Sequence, residues 1–184
     1  MKNKYVVRGD VTAIIIDSPK YGRKEALIST SKLELMHAYD GTWTANWQES
    51  SQTFYVQGRI KIGTYRTAVK LHRLITEARD GFYVDHIDHD GLNNTDNNLR
   101  VVTISQNAQN RRSASKNNVT GIRGVSWNKT QKKWHSRIMV NGKAIHIGCF
   151  SDISAAESSA KEARRRLMPF SKEGEQASNG VELA

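Results

Sequence analysis

Cysteine is nearly absent from this chain of 184 residues. Cys149 stands alone and can close no internal disulfide, which excludes the disulfide-stapled secreted domains and fits a reducing compartment. Packed between Gly148 and Phe150, it is expected to serve as a small apolar residue. No apolar run approaches the ~20 residues needed to cross a bilayer, and the opening Met1-Lys2-Asn3-Lys4-Tyr5 lacks the apolar core of a secretion signal. The expectation is a soluble cytoplasmic protein with no membrane partner. Acid is scarce as well: 18 Asp and Glu stand against 28 Lys and Arg, a net charge of +10. The shortage is local. Between Arg111 and Met168 thirteen basic residues face three acidic ones, an excess equal to the whole net charge, and the rest of the chain balances. Such a segment attracts polyanions and holds phosphates through counterion release, whatever their sequence.

What the chain does have is a series of short segments with two different periods. Length allows one ordinary domain or two small ones, and 38% hydrophobic residues suffice for a core. Tyr5-Val6-Val7, Ala13 to Ile16, Ala26 to Ile28, Thr42 to Trp47 and Thr53 to Val56 read as strands separated by Gly, Ser and Asp. Ser31 to Tyr39 reads as a helix. Arg59 to Ile62 and Arg66 to Leu71 are further strand-like runs, and a helix is predicted from about His72 to near Asp80-Gly81.

The stretch richest in chemistry runs from Tyr83 to Asn107. Asp85 and His86 end a short apolar run, an Asn/Asp/Gly-rich loop follows, and Leu99-Arg100-Val101-Val102 returns as a second β-branched run. Asp85 offers a hard oxygen to a divalent cation, and His86 can take a proton from water at neutral pH. Taken singly, a histidine at a strand end is more often structural; His86 is distinguished by its neighbours. Asn93, Asn94 and Asn97 read as turn chemistry, and His89 and Asp90 as solvated loop residues. After Thr103 a helical pattern takes over and carries Asn107, with Asn110 one turn on.

This pattern, His86-x11-Asn98-x8-Asn107 with Asp85 before it, resembles the HNH endonucleases. The resemblance implies a β-hairpin and helix around one metal ion, the ββα-metal arrangement. It makes Asp85 and Asn107 metal ligands and His86 the general base, with Asn98 serving catalysis by holding the loop. An Asn at the last position, as in phage homing members, points to Mg²⁺, with Mn²⁺ as a substitute, rather than to a thiolate zinc site. His72 lies in a His-Arg-Leu segment of the kind that precedes such motifs; support of the site and simple packing are both open for it. Arg100 and Asn110 are candidates for contact with substrate phosphate.

A second module follows a polar, basic linker, 113–118. Gly121 to Trp127, Lys133 to Val140 and Lys143 to Gly148 alternate as three strands, the last two joined by Asn141-Gly142, and Ser154 to Leu167 makes an amphipathic helix. The landmarks Arg123-Gly124-Val125, Lys133-Trp134, Asn141-Gly142-Lys143 and His146-Ile147-Gly148-Cys149-Phe150 resemble the DNA-binding domain of plant ethylene-response factors. That resemblance implies a sheet entering the major groove of double-stranded DNA. Alternation turns Trp134, Ile138, Val140, Ile145 and Ile147 toward the helix and His135, Arg137, Met139, Ala144 and His146 outward. Arg123, Asn128, Arg137 and His146 match DNA-reaching positions, with Lys143, Asn110, Arg111 and Arg112 as further candidates. Ser126, Met139, Ala144 and His146 depart from the plant pattern, so its target sequence does not carry over. Trp127 and Trp134 read as core.

The expected architecture is α+β: a β-rich leader (1–70), a ββα-metal nuclease core (71–112), the linker, a three-stranded antiparallel sheet packed on one helix (119–168), and a disordered tail (169–184). The expected function is a site-directed, metal-dependent DNA endonuclease of the homing type, most simply a monomer, in the host cytoplasm if phage-encoded. A DNA-binding regulator with an inactive nuclease domain is the alternative, and an RNA-directed enzyme a further one.

Overall fold

The structure is a computed structural model that describes residues 1–111, 113–115 and 117–174, without the side chain of Ile62. Arg112, expected at DNA, and residues 175–184 of the expected tail lie outside the described residues. The chain divides into two compact units, Met1–Val102 and Thr103–Ala184, so the boundary falls one helix earlier than the sequence suggests.

In the first unit, strands β1 (Tyr5–Arg8), β2 (Val11–Ser18) and β3 (Gly22–Ser29) precede helix α1 (Leu33–Ala38). Strands β4 (Thr44–Gln48), β5 (Thr53–Ile62) and β6 (Tyr65–Lys70) lead into helix α2 (Leu71–Thr76), and β7 (Tyr83–His86), β8 (Asn93–Asn94) and β9 (Leu99–Val102) complete the unit. They form three sheets, ordered β1-β2-β3-β8, β4-β5-β6 and β7-β9. Ile14, Ile16, Ala26, Ile28, Met36, Trp43, Val56 and Leu71 are buried together as its core, the burial that offsets the entropy of ordering these short elements.

Thr53 to Val56 and Arg59 to Ile62, which read as separate runs, are one ten-residue strand, β5. Gly58 joins them because a Cβ there would collide with the Tyr39 ring. The Tyr39 hydroxyl accepts from the Arg59 N–H at 2.8 Å. Helix α2 stops at Glu77, whose φ of 50° is left-handed, instead of reaching Asp80-Gly81. Arg73 substitutes for further helix by donating to the carbonyls of Ala78 and Phe82, both at 2.9 Å. The helix expected from Ser31 opens as a 3₁₀ turn, Thr30–Lys32, before α1.

The second unit starts with helix α3 (Ile104–Gln109), followed by strands β10 (Val125–Asn128), β11 (Lys133–Val140) and β12 (Lys143–Phe150) and helix α4 (Ile153–Leu167). The three strands form one antiparallel sheet in chain order. Asn141 and Gly142 both take positive φ, 50° and 77°, as a two-residue hairpin turn demands. Asp152 caps α4 by accepting from the Ala155 N–H at 2.8 Å. Ala156, Ala160 and Ala163 on α4 face Val125 and Ile138 of the sheet, flanked by Trp134, Ile145 and Ile147.

Three expectations change here. A register shift between Ser136 and Arg137 turns the end of β12 over, so that Cys149 is exposed rather than packed; a bulge re-aims the side chains beyond it. Trp127 is 43% exposed, leaning edge-on against Trp134 with ring centroids 4.8 Å apart, and only Trp134 joins the core. Residues 169–174, expected to start a loose tail, fold back instead: Ser171 is fully buried, and Arg164 binds Glu173 at 2.6 Å. The whole is mixed α+β, several small sheets with few helices. Among the described residues no helix is long and apolar enough to cross a membrane.

Candidate active site

Asp85 and His86 end β7 and are nearly closed off, 8% and 5% exposed. Register places Asp85 opposite Arg100 and His86 opposite Leu99 on β9. Arg100 donates to Asp85 Oδ2 from Nη2 at 2.7 Å and from Nε at 2.9 Å, so its charge serves to hold this carboxylate rather than to await a phosphate.

His86 Nε2 lies 3.3 Å from Asn94 Oδ1. Asn94 is fully buried, and its Nδ2 donates to the carbonyls of Gly91 and Leu92 at 3.3 and 3.0 Å. Those two bonds fix the amide's orientation and present its oxygen to the imidazole. Nε2 must then carry the proton, which leaves the lone pair on Nδ1. The Asn94 reading as plain turn chemistry is thereby corrected: it sets the tautomer of His86.

Around His86 stand two more rings, His72 at 5.0 Å and Tyr55 at 5.6 Å between centroids, both nearly edge-on. Burial pushes the His86 pKa below the ordinary histidine value, against the opposing pull of Asn94 and the nearby carboxylates. Burial first and the neighbouring His86 second push His72 down to about 3, and its Nδ1 is buried with no hydrogen-bond partner among the described residues. Both imidazoles are therefore neutral at ordinary pH, and His86 is poised to accept a proton.

The loop between β7 and β9 is knitted by side chains. Asn98, 7% exposed, accepts from the Asp88 N–H at 3.0 Å and donates to Asp88 Oδ1 at 2.9 Å and to the Asn93 carbonyl at 2.7 Å. Asn93 in turn donates to Asp88 Oδ2 at 2.7 Å. Gly91 lies so close to the Phe54 carbonyl and the Tyr55 ring that any Cβ would collide, and its N–H donates to Thr53 Oγ1 at 3.1 Å. In this way the loop is fastened to β5.

Asn107 belongs to the second unit, on α3. Thr103 and Gln106 form a reciprocal capping box at the start of that helix, and Asn107 is half-buried one turn in. The far end is held by Arg123, which donates to the carbonyls of Gln109 and Arg111, both at 2.8 Å, and of Ala108 at 3.2 Å. The Phe170 N–H adds a bond to Gln109 Oε1 at 3.2 Å. Arg123, expected at DNA, is thus committed to the last carbonyls of α3, where a cation is favoured. Asn110 is only 5% exposed and closes α3 through its backbone, which corrects its expected place at substrate phosphate.

The other expected DNA contacts sit on the surface. Arg111, Arg137, Lys143 and His146 are exposed, Arg137 and His146 as cross-strand partners. Asn128 is half-buried and accepts from the Gln131 N–H at 2.9 Å, shaping its turn.

Among the described residues no three His, Cys, Asp or Glu side chains gather as a metal cage. The oxygen donors proposed from the sequence, one carboxylate and one amide, have the chemistry of a hard cation that keeps most of its waters, as Mg²⁺ does.

Residues 69–109 match the sequence model of the HNH endonuclease family, a segment that takes in Asp85, His86, Asn98 and Asn107. "Protein 3.8" of Escherichia phage T7 is 36% identical over 63 residues, 34% of this chain and 51% of that protein. An uncharacterized HNH endonuclease of Acanthamoeba polyphaga mimivirus is 46% identical over 66 residues, 33% of this chain and 34% of its own length. The chain thus spans about half or less of these curated relatives, and no solved structure matches it. On the family match and these viral relatives, the chain carries an HNH endonuclease domain.

Proposed function

We propose that this protein is a metal-dependent, site-directed DNA endonuclease of the homing type. The observation that supports it best is the pairing of a buried, neutral His86, its lone pair fixed on Nδ1 by Asn94, with an adjacent carboxylate held by Arg100. His86 Nδ1 takes a proton from water; the hydroxide so formed attacks the phosphodiester phosphorus, and the P–O3′ bond breaks as the new P–O bond forms, its electron pair leaving with O3′, which takes a proton from solvent. Asn98 keeps the loop, and with it Asn94, in place during the step. Asp85 and Asn107 would hold one divalent ion, Mg²⁺ or Mn²⁺, which supplies Lewis-acid stabilisation of charge at the phosphate oxygens. The outward face of β10-β11-β12, with Arg137, Lys143 and His146, would grip duplex DNA in the manner that the plant-domain resemblance implies, joined by Arg111.

The test is incubation of supercoiled DNA with the protein and magnesium, with and without chelator. Cleavage should require the metal, and His86→Ala should lower its rate ~10²–10⁴-fold while leaving DNA affinity nearly unchanged. Tight binding without any cleavage would instead favour a DNA-binding regulator.

A further inference from the structure

The first 110 residues carry nearly balanced charge, 14 Lys and Arg against 12 Asp and Glu, yet strand register concentrates their cations. On β5, Tyr55, Gln57, Arg59 and Lys61 share one face, since alternate residues do so. Their partners on β6 are Lys70 opposite Gln57, Ala68 opposite Arg59 and Arg66 opposite Lys61. Thr44 and Asn46 of β4 extend the same face. The opposite face, with Ala45, Val56, Ile60 and Val69, is the one packed into the core. Arg59, Lys61, Arg66 and Lys70 are all exposed, and among the described residues none has a carboxylate partner.

This face leads to the candidate active site. Tyr55 lies 5.6 Å from His86 and 5.7 Å from His72 between centroids, and Lys70 Nζ sits 5.1 Å over the Tyr55 ring. From there the cations continue outward for about 20 Å, six residues at ~3.4 Å each. Arg59, Lys61 and Arg66 border a groove of about 1010 Å³ whose one acid, Asp40, is paired with Lys2 at 3.4 Å. Glu49, in the β4–β5 turn, is engaged by Trp47 and Gln52.

We infer that the open face of β4-β5-β6 is a second DNA-binding surface, a track for the phosphate backbone that guides the strand to be cut toward His86. Four exposed cations on one face of two paired strands, with no carboxylate partner among the described residues, are complementary to a polyanion, and counterion release supplies the affinity without reading sequence. The inference rests on the nuclease reading of His86, but its test does not require cleavage.

Binding of the full chain to a duplex oligonucleotide of random sequence, without metal, is measured against salt. Replacing two phosphate contacts by Lys61→Ala/Arg66→Ala should make the log–log slope shallower by about 1.8, from ~0.9 per phosphate. Lys61→Arg/Arg66→Lys should keep the wild-type slope, as should Lys4→Ala/Lys20→Ala, which removes exposed cations elsewhere in the unit. An unchanged slope in Lys61→Ala/Arg66→Ala would overturn the track even if the enzyme cleaves normally. Conversely, a wild-type chain that fails to cut leaves the slope difference as a valid test of the surface.

Discussion

His86 and His72 are two imidazoles set edge to face, 5.0 Å apart, and their surroundings give them different work. His86 has its tautomer set by Asn94; His72 is the more strongly depressed, to about 3. Because the unfolded chain would bind a proton on His72 near the ordinary value of 6.5, stability should be intact above that pH and fall as pH drops from 6.5 toward 3. The slope should approach ~1.4 kcal/mol per pH unit. Urea midpoints measured across this window should show the loss, and His72→Phe should flatten it. Asp85 and Asn107 make a different demand. Asp85→Ala and Asn107→Ala should each abolish cleavage at ordinary magnesium and recover some of it at higher magnesium or with manganese. Asp85→Ala should be the worse because it also removes a charge from the cation. A magnesium titration indistinguishable from wild type in both would remove them from the site. The segment holding Asp85, His86, Asn98 and Asn107, which the family model matches, was legible as family-like. Asn94 was not, since one asparagine in a loop of several looks like any other until the fold buries it against an imidazole.

Helix α3 is six residues long, too short to persist alone. Its stability comes from the capping box at one end and Arg123 at the other. Arg123→Ala should leave three carbonyls without this donor and cost about 1–3 kcal/mol, read as a lower melting temperature of the second unit. A chain cut after Asn110 loses Arg123 and Phe170 together. From sequence such a piece should retain the active site; the structure leads to the opposite expectation, loss of magnesium-dependent cleavage of supercoiled DNA. Full activity from that truncated chain would show that α3 needs no clamp. The hairpins themselves were largely legible, because periodicity and Asn-Gly turns are local. The early stop of α2 was not, since it depends on Arg73 finding carbonyls beyond the helix.

For the molecule as a whole, charge totals and charge placement give different pictures. The excess between Arg111 and Met168 falls in the second unit, and under the proposed function residues 103–184 alone should bind duplex DNA and never cut it. Their affinity should fall steeply with salt; gel-shift titrations at several salt concentrations would check this, and salt-independent binding would argue against phosphate contacts. The piece must include the segment through Gly174, because Ser171 and Glu173 are packed and paired there. In the first unit the nearly balanced total concealed a basic sheet face that only the β5–β6 register brings together.

By itself the sequence determined the residue types and spacing of the segment that the family model matches, most of the strands, the Asn141-Gly142 turn and the basic bias of the second half. Each follows from local periodicity or from what a side chain can do chemically. The tertiary structure alone decided that Asn94 orients His86, that Arg100 holds Asp85, that Arg123 clamps α3 instead of facing DNA, and that a bulge exposes Cys149. Those outcomes depend on register and on contacts between residues far apart in the chain. A strand shifted by one position exchanges its faces, and no local pattern records which partner a buried polar group will meet.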